Sequence, residues 1–145
     1  MCVLAGAAHN PPTLRLDDPW ALLVVCMLLN KTSRRQVDPV VPELFAAFPT
    51  AQAMAAAPPA ALEALLRPLG IHRKRAVSLA RMSREFLAGD FEHAGNLYGI
   101  GKYGDDAYEI FVRGAWSAVE PADEALRLYH RWLRDHVASC GGGER

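Results

Sequence analysis

The stretch Leu97-Tyr98-Gly99-Ile100-Gly101-Lys102-Tyr103-Gly104 decides how this chain is read. Its Gly-x-Gly turn lets the backbone pass close to an anion, because neither glycine carries a Cβ and both can adopt positive φ. A helix starting just after the turn aims free N–H groups at the same anion. Nucleotide-binding Gly-x-Gly loops instead follow a strand and open a long βαβ unit. Residues 90–97 contain no β-branched run, and residues 105–112 are helical in pattern. By itself the turn fits either a phosphate contact or a plain helix-capping turn.

At 145 residues the chain fits one domain with a sizeable core, and a hydrophobic content of 51% argues for a folded protein over a disordered one. The longest apolar run, residues 20–29, is too short to span a bilayer, and the first residues lack the basic region of a signal peptide. Cys2, Cys26 and Cys140 are odd in number and scattered, which gives no disulfide framework, zinc spacing or iron–sulfur loop. A reducing compartment is expected, nuclear if the source is eukaryotic and cytoplasmic otherwise. The five histidines, His9, His72, His93, His130 and His136, show no metal-ligand spacing except His130 and His136, which are six apart and off one helix face, and none is assigned a catalytic role.

The formal net charge is zero, which counts against nucleic-acid binding, but the distribution is uneven. Residues 67–84 carry Arg67, Arg73, Lys74, Arg75, Arg81 and Arg84 without one acid, and Lys31, Arg34 and Arg35 form a second cluster. Both clusters fit solvated helix faces; their position beside apolar turns tilts them toward phosphate contact.

Asp17 or Asp18 caps a helix with Pro19 at its first position, running over residues 20–30 and apolar nearly all round, hence central and buried. Thr32 or Ser33 caps the next segment, whose face is Val37, Val40, Val41, Leu44, Phe45 and Phe48, and which Pro39 and Pro42 divide. Thr50 caps a short alanine-rich helix, and Pro58-Pro59 opens another that ends at Arg67. Pro68-Leu69-Gly70-Ile71 is a turn into a long helix over residues 72–87, ended by Gly89, with Val77, Leu79, Ala80, Met82, Phe86 and Leu87 on its apolar face. Pro121 opens a last helix bearing Leu126, Tyr129, Trp132 and Leu133. No strand or internal repeat emerges, so the fold is all-α. Residues 1–16 are expected to be poorly ordered, 17–138 to form a single domain and 139–145 a disordered tail.

Asp123 lies 24 residues beyond Gly99, at the entry to the last helix, where a carboxylate also serves as a first-turn acid; Glu120 and Glu124 compete on the same stretch. Residues 18–136 resemble the glycosylase domain of the methyl-CpG-binding mismatch DNA glycosylases, within the helix-hairpin-helix superfamily. The matching blocks are Asp18-Pro19-Trp20, Leu29-Asn30-Lys31-Thr32-Ser33, Leu66-Arg67-Pro68-Leu69-Gly70, the 97–104 stretch and Tyr129-His130-Arg131-Trp132-Leu133. The resemblance implies an all-α helix-hairpin-helix glycosylase fold with its active site in a cleft between helical lobes. It also implies removal of thymine or uracil mispaired with guanine from duplex DNA, by base flipping and hydrolysis of the N-glycosidic bond.

By that resemblance Asp123 stands in the place of the catalytic aspartate, which stabilises the oxocarbenium-like sugar and orients water. Tyr103 stands where lyase-active members such as endonuclease III carry a lysine nucleophile; a phenol forms no Schiff base, so no lyase activity is expected. Lys31, with Thr32 beside it, matches the residue inserted into the gap left by the flipped base, where arginine is usual. Leu69-Gly70-Ile71 resembles the wedge against the orphan guanine, and Arg75 falls where the family also has arginine. Gly99, Gly101, Lys102 and Gly104 complete the implied DNA contacts.

The resemblance implies no cofactor and no iron–sulfur cluster, with at most a monovalent cation at the hairpin. The implied partner is double-stranded DNA with G·T or G·U mismatches, met by a monomer that does not engage membranes. Two departures bear on specificity and grip. Ala125 replaces a lysine, and no glutamine precedes the Asp18-Pro19-Trp20 block, leaving thymine against uracil open. A uracil-preferring relative, a catalytically inactive DNA-binding module and a helical protein-interaction domain are the alternative readings.

Overall fold

A computed structural model of the chain describes residues 18–114, 119–121, 126–128, 131 and 134. The expected segments 1–16 and 139–145, the catalytic candidate Asp123, and Tyr129, Trp132 and Leu133 lie outside the described residues.

The first helix, α1 (Pro19–Leu29), starts where the sequence sets it: Asp18 accepts the backbone N–H groups of Trp20 at 3.1 Å and Ala21 at 3.2 Å, and Pro19 fixes φ at the first position. Every residue from Trp20 to Leu28 is buried, because the helix meets packed neighbours on all sides. Each such Leu or Val side chain contributes about 1.5–3 kcal/mol by leaving water. Trp20 adds direction. Its ring meets Phe45 edge-on at 5.6 Å, and its Nε1–H donates to buried Ser83 Oγ at 2.9 Å, satisfying two polar atoms at once.

Four shorter helices follow: α2 (Arg34–Val37), α3 (Val40–Ala47), α4 (Ala51–Ala55) and α5 (Pro59–Leu66). Ser33 and Gln36 form a reciprocal capping box at α2, and Thr50 caps α4. The break between α2 and α3 falls at Pro39, as the missing N–H dictates. A 3-10 turn, Arg67–Leu69, then leads through Gly70 into the long α6 (His72–Ala88), which α4 and α5 pack against. Gly89 ends α6 in the left-handed conformation, the usual C-cap. After a second 3-10 turn, Ala94–Asn96, the 97–101 hairpin feeds α7 (Lys102–Phe111), which packs against α1.

The core lies on both flanks of α1. One face joins α1 to α2 through α6, and the other seats Leu22 and Cys26 against Ala107, Ile110 and Leu126. The architecture is all-α, with no strand among the described residues, and none of the described helices is long and apolar enough to cross a membrane. One sequence-level face needs correcting. Val77 (56% exposed) and Leu87 (44% exposed) point outward from α6, and its buried stripe is Ala76, Leu79, Met82 and Ser83. The i, i+3, i+6, i+7 spacing from Ala76 defines that stripe, and the larger apolar neighbours obscure it.

Candidate functional site

The hairpin is anchored from below and open above. Leu97 and Ile100 are buried, and the Ile100 N–H closes the turn on the Leu97 carbonyl at 3.1 Å. Gly99 takes φ +80°, which favours glycine through the backbone; a Cβ there would stand 2.7 Å from Met27 Cε, the mobile end of a side chain that can move aside. Gly101 departs from the expectation of positive φ. It is extended, at φ −98° and ψ −163°, and precedes α7 with no side-chain cap. The first N–H groups of α7 therefore lack an intrahelical acceptor just where Gly101, Lys102 and Tyr103 line an opening. Gly104 is buried; a Cβ would meet Ile100 Cγ2 at 2.9 Å and Cys26 Cβ at 3.5 Å, so this glycine brings α7 close to α1.

The opposite wall is the exit of α1. Asn30 ends the helix, Lys31 follows at φ +65°, and the Thr32 hydroxyl turns back to donate to the Leu28 carbonyl. Arg75, reaching across from α6, holds this turn in place. Its guanidinium donates to the carbonyls of Gly70 at 3.0 Å and Asn30 at 3.2 Å, with longer contacts of 3.5 Å to Met27 and Leu28. Burial pushes the Arg75 guanidinium down from its usual value, and these carbonyls are what compensate it.

Between the two walls is a cleft of about 600 Å³, lined by Asn30, Lys31, Thr32 and Arg34 on one side and by residues 99–104 on the other, over a floor that includes Cys26 and Met27. Its size falls in the range of small-molecule pockets. A second depression of about 170 Å³ lies beyond a ridge formed by Met27, Asn30, Lys31 and Gly99, and Ile71, Lys74 and Arg75 edge its far side. Lys31 and Ile71 (φ +44°) are the two non-glycine residues with positive φ among the described residues, and both line that depression. Ile71 is 58% exposed although apolar, at the head of α6.

The cleft's charges are cationic. Lys31 and Arg34 have no acidic partner among the described residues, whereas Lys102 Nζ lies 2.9 Å from Asp106 Oδ2. A third group of contacts steadies the hairpin from α6. Glu85 Oε1 accepts the Tyr98 N–H at 2.7 Å, and Arg81 pairs with Glu85 at 3.0 Å while lying 4.0 Å over the Tyr98 ring. The Tyr98 N–H holds the Glu85 carboxyl below its ordinary range; desolvation opposes this, and Arg81 adds to it.

Residues 24–140 match the HhH-GPD superfamily of base excision DNA repair proteins. The chain belongs to that superfamily. It is 42% identical over 117 residues to "Methyl-CpG-binding domain protein 4-like protein" of Arabidopsis thaliana, covering 81% of this chain and 26% of that relative. It is 41% identical over 77 residues to "Thymine-DNA glycosylase" of Aeropyrum pernix, covering 53% of this chain and 34% of the relative. With "Thymine/uracil-DNA glycosylase" of Pyrobaculum aerophilum it shares 34% over 76 residues, covering 52% of this chain and 33% of the relative. The chain thus spans about a quarter to a third of the length of these relatives.

This HhH-GPD chain gathers Lys31, Thr32, Gly99, Gly101, Lys102, Tyr103 and Gly104 around one cleft, and sets Ile71 and Arg75 at the adjoining depression. Leu69 is buried in the core, so within Leu69-Gly70-Ile71 the outward side chain is Ile71. Arg75 spends its donors on protein carbonyls. Asn30, Met27 and Arg34 also line the cleft. The first belonged to a matching block and the last to a basic cluster, but nothing in the sequence marked Met27 as more than core.

Proposed function

We propose that this chain is a monofunctional DNA glycosylase that removes thymine or uracil mispaired with guanine from duplex DNA. The observation that carries the reading is the cleft itself, where the hairpin, the start of α7 and the strained Lys31 turn converge around a space the size of a small ligand. Membership of a base excision repair superfamily and relatives named as thymine- and thymine/uracil-DNA glycosylases support it.

In this reading the hairpin N–H groups and the open end of α7 hold the DNA backbone, and Lys31 and Ile71 occupy the two sides of the site the base leaves. A base in the cleft lies beside Tyr103. Asp123 stabilises positive charge on the sugar as the N-glycosidic bond breaks and orients the water that adds to the sugar carbon; thymine or uracil leaves as a resonance-stabilised anion. Val119 and Leu126, on either side of Asp123 in sequence, pack with the cluster that includes Cys26 and Tyr103, two residues that line the cleft. Tyr103 offers no amine, and the Lys102 ammonium is engaged by Asp106, so strand cleavage through a Schiff base is not expected.

Base release from duplexes holding one G·T, G·U or A·T pair tests this. Release from the first two only supports the proposal. Release from G·U alone makes the chain uracil-selective, and binding without release makes it a DNA-binding module.

A further inference from the structure

On the side of α7 that bears Asp105 and Glu109, the fold assembles three metal-ligand types that the sequence holds apart. We infer that His93, Asp105 and Glu109 bind one divalent transition-metal ion of the zinc, cobalt or nickel kind, which ties the hairpin's entry loop to α7. One ligand atom from each residue lies within 4.8 Å of the others, and His93 Nδ1 is 3.9 Å from Glu109 Oε2. Asp105 and Glu109 are four residues apart on a helix, which puts both carboxylates on one face, where they repel unless a cation intervenes. Among the described residues the cation paired with this cluster is Arg113, 3.1 Å from Glu109 Oε2, while Lys102 pairs with Asp106. That leaves the cluster one negative charge in excess beside an imidazole.

The backbone is already set for the ion. The Gly95 N–H donates to Asp105 Oδ1 at 2.9 Å, and a Cβ on Gly95 would approach Asp105 Cγ to 3.2 Å, so the loop is seated directly on the carboxylate. The His93 N–H donates to Asn96 Oδ1 at 3.0 Å, fixing the backbone that carries the imidazole. Such contacts are the kind that orient metal ligands from behind. Metal–ligand bonds of about 2.0–2.2 Å require the donors to draw closer than the 4.8 Å within which they now stand, so the side chains close on the ion as it binds. A mixed imidazole–carboxylate set favours zinc, cobalt or nickel over magnesium or calcium, which prefer oxygen throughout. None of the three residues lines the cleft, so the ion stands outside the chemistry and brackets the hairpin between His93 and Asp105.

The test is titration of the chelator-treated protein with zinc and, separately, cobalt chloride, reading thermal stability, stoichiometry by calorimetry and the visible cobalt spectrum. One equivalent should bind and raise the melting temperature. His93→Ala and Glu109→Gln should each weaken binding about tenfold or more, and Arg113→Gln, which removes the competing cation, should strengthen it. Circular dichroism confirms that each variant is folded. No binding by the wild type, or unchanged affinity in either ligand variant (an ion held by cysteines or another histidine), overturns the assignment.

Discussion

The guanidinium of Arg75, on the long helix α6, donates at 3.2 Å to the carbonyl of Asn30, the last residue before the strained Lys31. The resemblance implies a DNA contact at Arg75; in the structure its guanidinium donates to the exit of α1 and to Gly70. One side chain therefore fixes both edges of the smaller depression. Arg75→Ala should cost about 1.5–3 kcal/mol, the range for a hydrogen bond to a charged group, measured by denaturant unfolding. Arg75→Lys should recover little, since one ammonium cannot span these carbonyls. Wild-type stability in Arg75→Ala would show that the clasp is incidental.

Beneath the hairpin, Met27 Cε occupies the space that a Cβ on Gly99 would approach, at 2.7 Å. Gly99→Ala should lose about 1–2 kcal/mol from the left-handed backbone, with little added from Met27, whose flexible end can move aside. A double-mutant cycle with Met27→Ala separates the parts. A coupling below about 0.5 kcal/mol is expected, with the backbone loss unrecovered by Met27→Ala.

Glu85 gives the hairpin an acid limit. Its carboxyl titrates below its ordinary value in the folded chain because the Tyr98 N–H donates to it. A depressed folded pKa contributes stability that is complete above the unfolded value of about 4.3 and is lost as pH falls through the lower folded value. Glu85→Gln should therefore shrink the difference in unfolding free energy between neutral and acid pH. The protection of the Tyr98 amide against hydrogen exchange, relative to the intrinsic rate at each pH, should fall at low pH in the wild type.

Lys31, Arg34 and Lys102 surround the cleft, though the chain as a whole carries no net charge. Affinity for duplex DNA should fall with salt in spite of that neutrality. Replacing Lys31 or Arg34 by Gln should reduce the slope of log affinity against log salt by about 1 each where the group meets a phosphate. Lys102→Gln should do less, because Asp106 already offsets its charge. A flat salt dependence in the wild type would favour a protein-interaction domain.

Much of this arrangement is legible in the sequence because it rests on local rules. Asp18, Ser33 and Thr50 cap helices where cap chemistry puts them, Pro39 breaks α2 from α3, and Gly89 stops α6. The hairpin's identity follows from Gly99, whose positive φ a side chain would resist. Long-range outcomes are less visible. Whether Arg75 faces outward or inward depends on where the exit of α1 comes to rest, and Gly101 needs no positive φ because Gly99 alone turns the chain. Val77 and Leu87 are apolar but exposed, since hydrophobicity does not reveal which helix face finds a partner. His93 joins Asp105 and Glu109 only after the loop folds back on α7. Asp123 was singled out by resemblance, and it lies outside the described residues.

Single-turnover cleavage of duplexes holding one G·T or G·U pair, resolved before and after hot alkali with Asp123→Asn alongside, addresses the proposed chemistry most directly. Wild type should give strand breaks only after alkali, from the mismatched duplexes and not from A·T. Asp123→Asn should bind the same duplexes while releasing base at least about a hundred- to a thousandfold more slowly. Undiminished release by Asp123→Asn, or breaks that appear without alkali, would contradict a monofunctional glycosylase working through Asp123.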